Sequence, residues 1–273
     1  MSENESDNVI HADPSKAFFI EMLTKDISLQ ECILDLVDNS IHNLITEFDL
    51  DVMNVLLGKG QAKKSVNAKV RISLSPDEFC IEDTCGGISI EEARNEVFRF
   101  GSSKTGSQAQ TGLGVYGIGM KRAFFKLGRV IAVHSRTDSE EFGVDIDVAD
   151  WEAKASWDLE FKFFRKLGST NGSKTGTTII VRNLNRTVGK HLSLEAFQSD
   201  LIKKLGAAYA LFLETGLEIK VNQRSVTPRL PELLKSGDLK PVRQLTKVDG
   251  VDVLILAGIA HGAQGSAGLV HIL

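Results

Sequence analysis

The stretch 112-GLGVYGIGMK-121 carries four glycines in eight residues and ends on a lysine. Two glycine patterns overlap in it. Gly112, Gly114 and Gly117 spell G-x-G-x-x-G, which holds a dinucleotide when it joins a buried strand to a helix. Gly114, Gly117 and Gly119 spell G-x-x-G-x-G-x-K, with Lys121 as its last member. The flanks decide between them. Residues 120–127 read as a helix and 129–136 as a strand, and Asp138 lies 21 residues past Gly117, where the dinucleotide pattern expects an acid. But the ten residues before Gly112 are SSKTGSQAQT. That polar run cannot be the buried strand the first pattern requires. A P-loop fails too, because G-K-[S/T] does not occur.

Upstream, 31-ECILDLVDNSIHN-43 is the most informative helix. At about 100° per residue, Glu31, Asp35, Asp38, Asn39 and His42 fall in one sector of roughly 100°. Cys32, Ile33, Leu34, Leu36, Val37, Ile41, Leu44 and Ile45 fill most of the rest. A helix that is apolar nearly all round is buried, and buried carboxylates need partners. A metal ion bridging to a phosphate is one such partner. A solvated stripe on a sandwiched helix is the plain alternative, and the neighbouring motifs tip the reading. The helix is expected over 28–48, with Ser28 and Glu31 forming a capping box.

The next motif is 81-IEDTCGGI-88. A strand ends on Glu82–Asp83, so a carboxylate points into the crevice beyond it. Gly86 and Gly87 let the backbone come close to a ligand. Strands are expected at 66–74, 78–82, 129–136, 141–148, 159–166, 177–181 and 251–259, with an edge strand at 217–221. Helices are expected at 14–23, with Asp13 as N-cap, and at 90–100, 120–127 and 194–213. Residues 101–111 read as a polar, mobile loop.

In order, then, come D-L-V-D-N-S on a helix, D-x-C-G-G-I after a strand, a polar loop, G-x-x-G-x-G-x-K opening a helix, and 175-TGTTIIV-181. This set resembles the GHKL ATPase family, named for gyrase, the heat-shock chaperone, histidine kinases and MutL, over about residues 12–226. The details look closer to the MORC, MutL and chaperone branch. The resemblance implies an α/β (α+β) two-layer sandwich, with helices on one face of a mixed sheet. It implies ATP and Mg2+ as ligands under a flexible lid at 101–111. Asn39 then matches the Mg2+ ligand and Asp35 the general base. Asp83 matches the acceptor of the adenine amino group, supported by Thr177, with Gly87 and Ile88 packing on the base. Gly114, Tyr116, Gly117, Ile118 and Gly119 match the phosphate loop. Lys121 would neutralise phosphate charge, with Lys104 as a further candidate from the lid. This sequence departs from the family where the usual glutamate base is Asp35 and the first glycine of D-x-G-x-G is Cys85. The resemblance implies ATP hydrolysis, slow in turnover, with lid closure driving a homodimer. A non-hydrolysing nucleotide sensor is the alternative. A protein or DNA client is compatible with either.

Bulk properties limit the remaining classes. The chain has 273 residues, 42% hydrophobic and 25% charged, with a net charge of −4. There is no global basic field for nucleic acid, and Arg122, Lys126 and Arg129 read equally well as a small basic patch or as a solvated helix face. Cys32, Cys80 and Cys85 have no metal-ligand spacing and fit a reducing compartment. No apolar run has the length of a membrane span, so a cytoplasmic or nuclear location is expected. Residues 1–11 read as a disordered tail, 12–227 as the nucleotide-binding domain, and 228–273 as the start of a truncated second, transducer-like domain.

Overall fold

The computed structural model describes residues 14–47, 67–101, 118–168, 175–230, 242–248, 251–258 and 268–272. Helix α1 (Lys16–Thr24) is capped by Ser15, whose hydroxyl accepts the Phe18 N–H; the expected cap, Asp13, lies outside the described residues. Helix α2 (Leu29–Glu47) begins as expected. Ser28 N–H donates to Glu31 Oε2 at 2.8 Å, and Glu31 N–H donates to Ser28 Oγ at 3.2 Å. These reciprocal bonds satisfy backbone donors that the first helical turn leaves free.

Eight strands form one sheet: β1 (Lys69–Leu74), β2 (Glu78–Asp83), β3 (Gly128–Arg136), β4 (Glu140–Asp147), β5 (Phe161–Lys166), β6 (Gly176–Leu184), β7 (Glu218–Val221) and β8 (Arg224–Ser225). Their order is β5-β4-β3-β6-β2-β1-β7-β8. Among the described residues, only β1 and β7 pair in parallel and the other pairs are antiparallel, so the sheet is mixed. Strand β7 is interior rather than the expected edge. Asn222, at φ 53°, turns the chain back into β8, which becomes the edge.

Period-two alternation sets the two faces of the sheet. Val70, Ile72 and Leu74 of β1, Phe79, Ile81 and Asp83 of β2, Thr177, Ile179 and Val181 of β6, and Ile131, Val133 and Ser135 of β3 are all buried. Their apolar members join Cys32, Ile33, Leu36, Val37, Ile41 and Leu44 of α2 in one hydrophobic cluster. On the opposite face Arg71 and Glu82 are exposed and paired at 3.7 Å. The protein is thus a two-layer arrangement of helices on one face of a mixed sheet.

Several elements differ from the sequence reading. The expected helix 90–100 is a short α3 (Ile90–Glu92), capped reciprocally by Ser89 and Glu92, that passes into a π turn at Ala93–Val97. Helix α4 (Gly119–Leu127) is as expected. Two short helices were not anticipated: α5 (Val148–Ala153), whose N-cap Asp147 accepts from Ala149 and Asp150 N–H, and α6 (Val188–Leu192). The expected helix 194–213 is two, α7 (Glu195–Ala208) and α8 (Ala210–Glu214), interrupted where Tyr209 leaves helical geometry. Its ring is buried, and its hydroxyl lies 3.0 Å from the Leu34 carbonyl of α2. Strands β9 (Val242–Val248), β10 (Val251–Ala257) and β11 (Gly268–Ile272) form a separate antiparallel sheet.

Candidate functional site

The polar centre of the covered face is a row across three neighbouring strands. Ile81, Ile179 and Val133 are cross-strand partners in the apolar row. Two residues along each strand the row becomes Asp83, Thr177 and Ser135, buried at 7%, 5% and 0% exposure. Asp83 Oδ1 accepts the Cys85 N–H at 2.9 Å and the Thr177 N–H at 3.2 Å. Its Oδ2 accepts the Ser40 hydroxyl at 2.9 Å. Burial pushes the Asp83 carboxyl up from its usual range, and the three donors pull the other way. A carboxylate offers about four lone-pair sites, so one acceptor position remains for a ligand donor. Thr177 Oγ1 and Ser135 Oγ lie 2.9 Å apart, and Ser135 Oγ accepts the Ile88 N–H at 2.7 Å.

The turn after Asp83 explains two glycines. Gly87 has φ 81°, and a Cβ built there would lie 2.1 Å from the Arg136 carbonyl oxygen. At Gly176 a Cβ would lie 2.0 Å from the Asp83 carbonyl oxygen. The left-handed positions of this turn fall at Gly86 and Gly87. Cys85 needs no such freedom, and its fully buried thiol is pushed up by desolvation.

On α2 the polar stripe is less wet than a surface stripe. Among the described residues, Asn39 Nδ2 is buried with no hydrogen-bond partner. Rotating that amide by half a turn exchanges its nitrogen and oxygen, so the site offers an unused donor or an unused acceptor. Asp38, pushed up by burial, lies 2.8 Å from the Tyr209 hydroxyl. Asp35 receives a fork from Arg122: Nε donates to Oδ2 at 2.7 Å and Nη2 to Oδ1 at 3.0 Å. Gly119, at the start of α4, packs on Asp35, and a Cβ there would lie 3.4 Å from Asp35 Cβ.

Lys121 is buried at 3% exposure, and its ammonium donates to the Val97 carbonyl at 2.8 Å. Desolvation lowers its pKa to about 8. Thus Asp83, Gly87, Ile88 and Thr177 meet in one cluster, and Asp35 meets Gly119. Lys104, Gly114, Tyr116 and Gly117 lie outside the described residues, as do the lid positions after Gly101; Ile118 and Gly119 open α4. Sequence reasoning missed Ser40, Ser135 and Arg122. A serine at the inward position of a strand that otherwise buries Ile131 and Val133 was the one signal available.

The chain has a relative in Herpetosiphon aurantiacus described as the putative type II restriction enzyme HgiDII. The two are 28% identical over 141 residues, which is 50% of this chain and 23% of that protein. The family described as histidine kinase-, DNA gyrase B-, and HSP90-like ATPase matches residues 27–177. That span runs from the residue before the α2 capping box to the threonine of the buried polar row, and the chain belongs to this ATPase family.

Proposed function

We propose that this protein binds Mg2+–ATP and hydrolyses it to ADP and phosphate. The observation that carries the reading is the Asp83 carboxylate, buried among three donors with one acceptor site to spare. That group is suited to the amino hydrogens of adenine, with Ile88 and Gly87 beside the base and the Thr177–Ser135 hydroxyl pair behind it. Asn39 fits a metal-bound phosphate, since its buried amide has an unused polar atom. Mg2+ held there would neutralise charge on the triphosphate. Asp35 would take the proton of the attacking water. The first turn of α4 supplies backbone N–H groups toward phosphate oxygens. Gly114, Tyr116 and Gly117 extend that loop, and Lys104 and Lys121 add positive charge.

Closure of a lid at 101–111 over ATP would bring two copies together as a homodimer. The restriction-enzyme name of the relative makes DNA the first client to test. Among the described residues no helix is long and apolar enough to cross a membrane; a cytoplasmic or nuclear site of action is part of the proposal. One observation favours a second reading, a sensor that binds without turnover: Asp35 is already occupied by Arg122.

The test pairs binding with turnover. Mg2+–ATP should raise the melting temperature of the wild type, and Asn39→Ala should lose that shift. Asp35→Asn should keep ATP binding and lose phosphate release. An unchanged shift in Asn39→Ala sinks the metal assignment. Binding without phosphate release in the wild type selects the sensor.

A further inference from the structure

Gly119 and Arg122 lie three residues apart on α4, hence on one side of that helix. Both face Asp35. A Cβ built on Gly119 would lie in ordinary contact with the Asp35 side chain, 3.4 Å from its Cβ, and the Arg122 guanidinium grips both carboxylate oxygens at 2.7 and 3.0 Å. The pair is mostly withdrawn from water, with side-chain exposures of 33% for Arg122 and 19% for Asp35. The guanidinium is held in its charged form by the bond to Asp35.

A planar fork does what a single ammonium cannot. Two parallel N–H···O bonds fix the plane of the carboxylate as well as its position. They consume two of roughly four lone-pair sites, so the oxygens keep capacity to accept from water. The geometry also ties the carboxylate to the N-terminal turn of α4, the helix end suited to anions. An aspartate base is one methylene shorter than the glutamate usual at this position. Catalysis is sensitive to that scale, a misplacement of about 1 Å costing roughly a hundredfold.

We propose that Arg122 is the positioning residue for Asp35, locking the carboxylate in register with the phosphate-facing end of α4. The proposal rests on the reading of Asp35 as the base. It differs from a latch that withholds Asp35, because the two predict opposite effects of removing the guanidinium.

The experiment measures phosphate release, ATP affinity by calorimetry and melting temperature. The variants are Arg122→Gln, Arg122→Lys, Asp35→Asn and the double variant Asp35→Asn/Arg122→Gln. Arg122→Gln should keep ATP affinity within about threefold and lower kcat by roughly tenfold to a hundredfold. Arg122→Lys keeps the charge without the fork and should recover little of kcat. It also carries the test if Arg122→Gln does not fold. In the double variant kcat should match that of Asp35→Asn alone, the signature of two residues acting as one unit. A wild-type or raised kcat in Arg122→Gln or Arg122→Lys overturns the positioning role, and a raised one establishes the latch. Failure of the base reading looks different: turnover then survives in Asp35→Asn.

Discussion

Thr177 donates its backbone N–H to Asp83 Oδ1 across 3.2 Å, from one strand to its neighbour on the covered face of the sheet. The same oxygen takes the Cys85 N–H, and the other oxygen takes the Ser40 hydroxyl. Asparagine can imitate most of this. Its amide oxygen can face the two N–H groups while its NH2 donates to Ser40 Oγ, since a hydroxyl rotates to accept. What it cannot do is accept a further amino hydrogen at that second position. Asp83→Asn should therefore lower stability by only about 1 kcal/mol. ATP affinity should fall roughly tenfold to a hundredfold, the loss of one hydrogen bond to a charged group. Urea denaturation beside titration calorimetry separates the two effects.

Gly87 and Gly101 provide an internal control for backbone strain. Both have left-handed φ, 81° and 87°. At Gly87 a Cβ would strike the Arg136 carbonyl, whereas at Gly101 it would meet nothing within 4 Å. Gly101→Ala should cost about 1 kcal/mol, the conformational penalty alone. Gly87→Ala adds a backbone clash and should cost about 3 kcal/mol or more. Equal midpoints in chemical denaturation would contradict the close approach.

Lys16 anchors the first helix. Its ammonium donates to the carbonyls of Trp151, Lys154 and Ser156 at 2.6, 2.7 and 2.6 Å, and sits 4.5 Å from the Trp151 ring centroid. At the other end of α1, Lys126 donates to the Thr24 carbonyl at 2.8 Å. Lys16→Met removes the charge-assisted bonds and the cation–π contact, and should destabilise by about 2–4 kcal/mol. The chain's two tryptophans, Trp151 and Trp157, both face this ammonium. Intrinsic fluorescence should shift in the folded variant, before any unfolding.

Lys121 gives the protein an alkaline signature. Its folded pKa of about 8 lies below the usual lysine value of 10.5. Between those values the unfolded chain holds a proton that the folded chain has released. By linkage, stability from this group rises with pH across that window and is flat below it. The wild type should gain on Lys121→Met between pH 8 and 10. Parallel pH curves for the two proteins would show that burial does not discharge the amine.

Much of the scaffold is written locally. The Ser28/Glu31 cap, the alternation of β1, β2, β3 and β6, and the glycine that opens α4 each depend on a few adjacent residues. The meeting of Asp83, Thr177, Gly87 and Ile88 in one cluster was legible because they sit in motifs of recognisable spacing. The missed parts are settled between elements. Ser40 matters because α2 places it against Asp83, and Ser135 because β3 lies beside β6. Arg122 looked like one more cation on a wet helix face until α4 was set against α2. The break at Tyr209 is of the same kind, since its hydroxyl answers to α2 rather than to its own helix.

The row Asp83, Thr177 and Ser135 joins strands from three distant parts of the chain, and it lies next to the apolar row of the core. On the proposed reading, preference for a base is tied to the foundations of the domain and cannot be retuned by trading one surface loop for another. A lineage could then change what it does with a bound nucleotide by altering helices and attached segments. Changing which nucleotide it accepts would mean rebuilding the centre of the sheet.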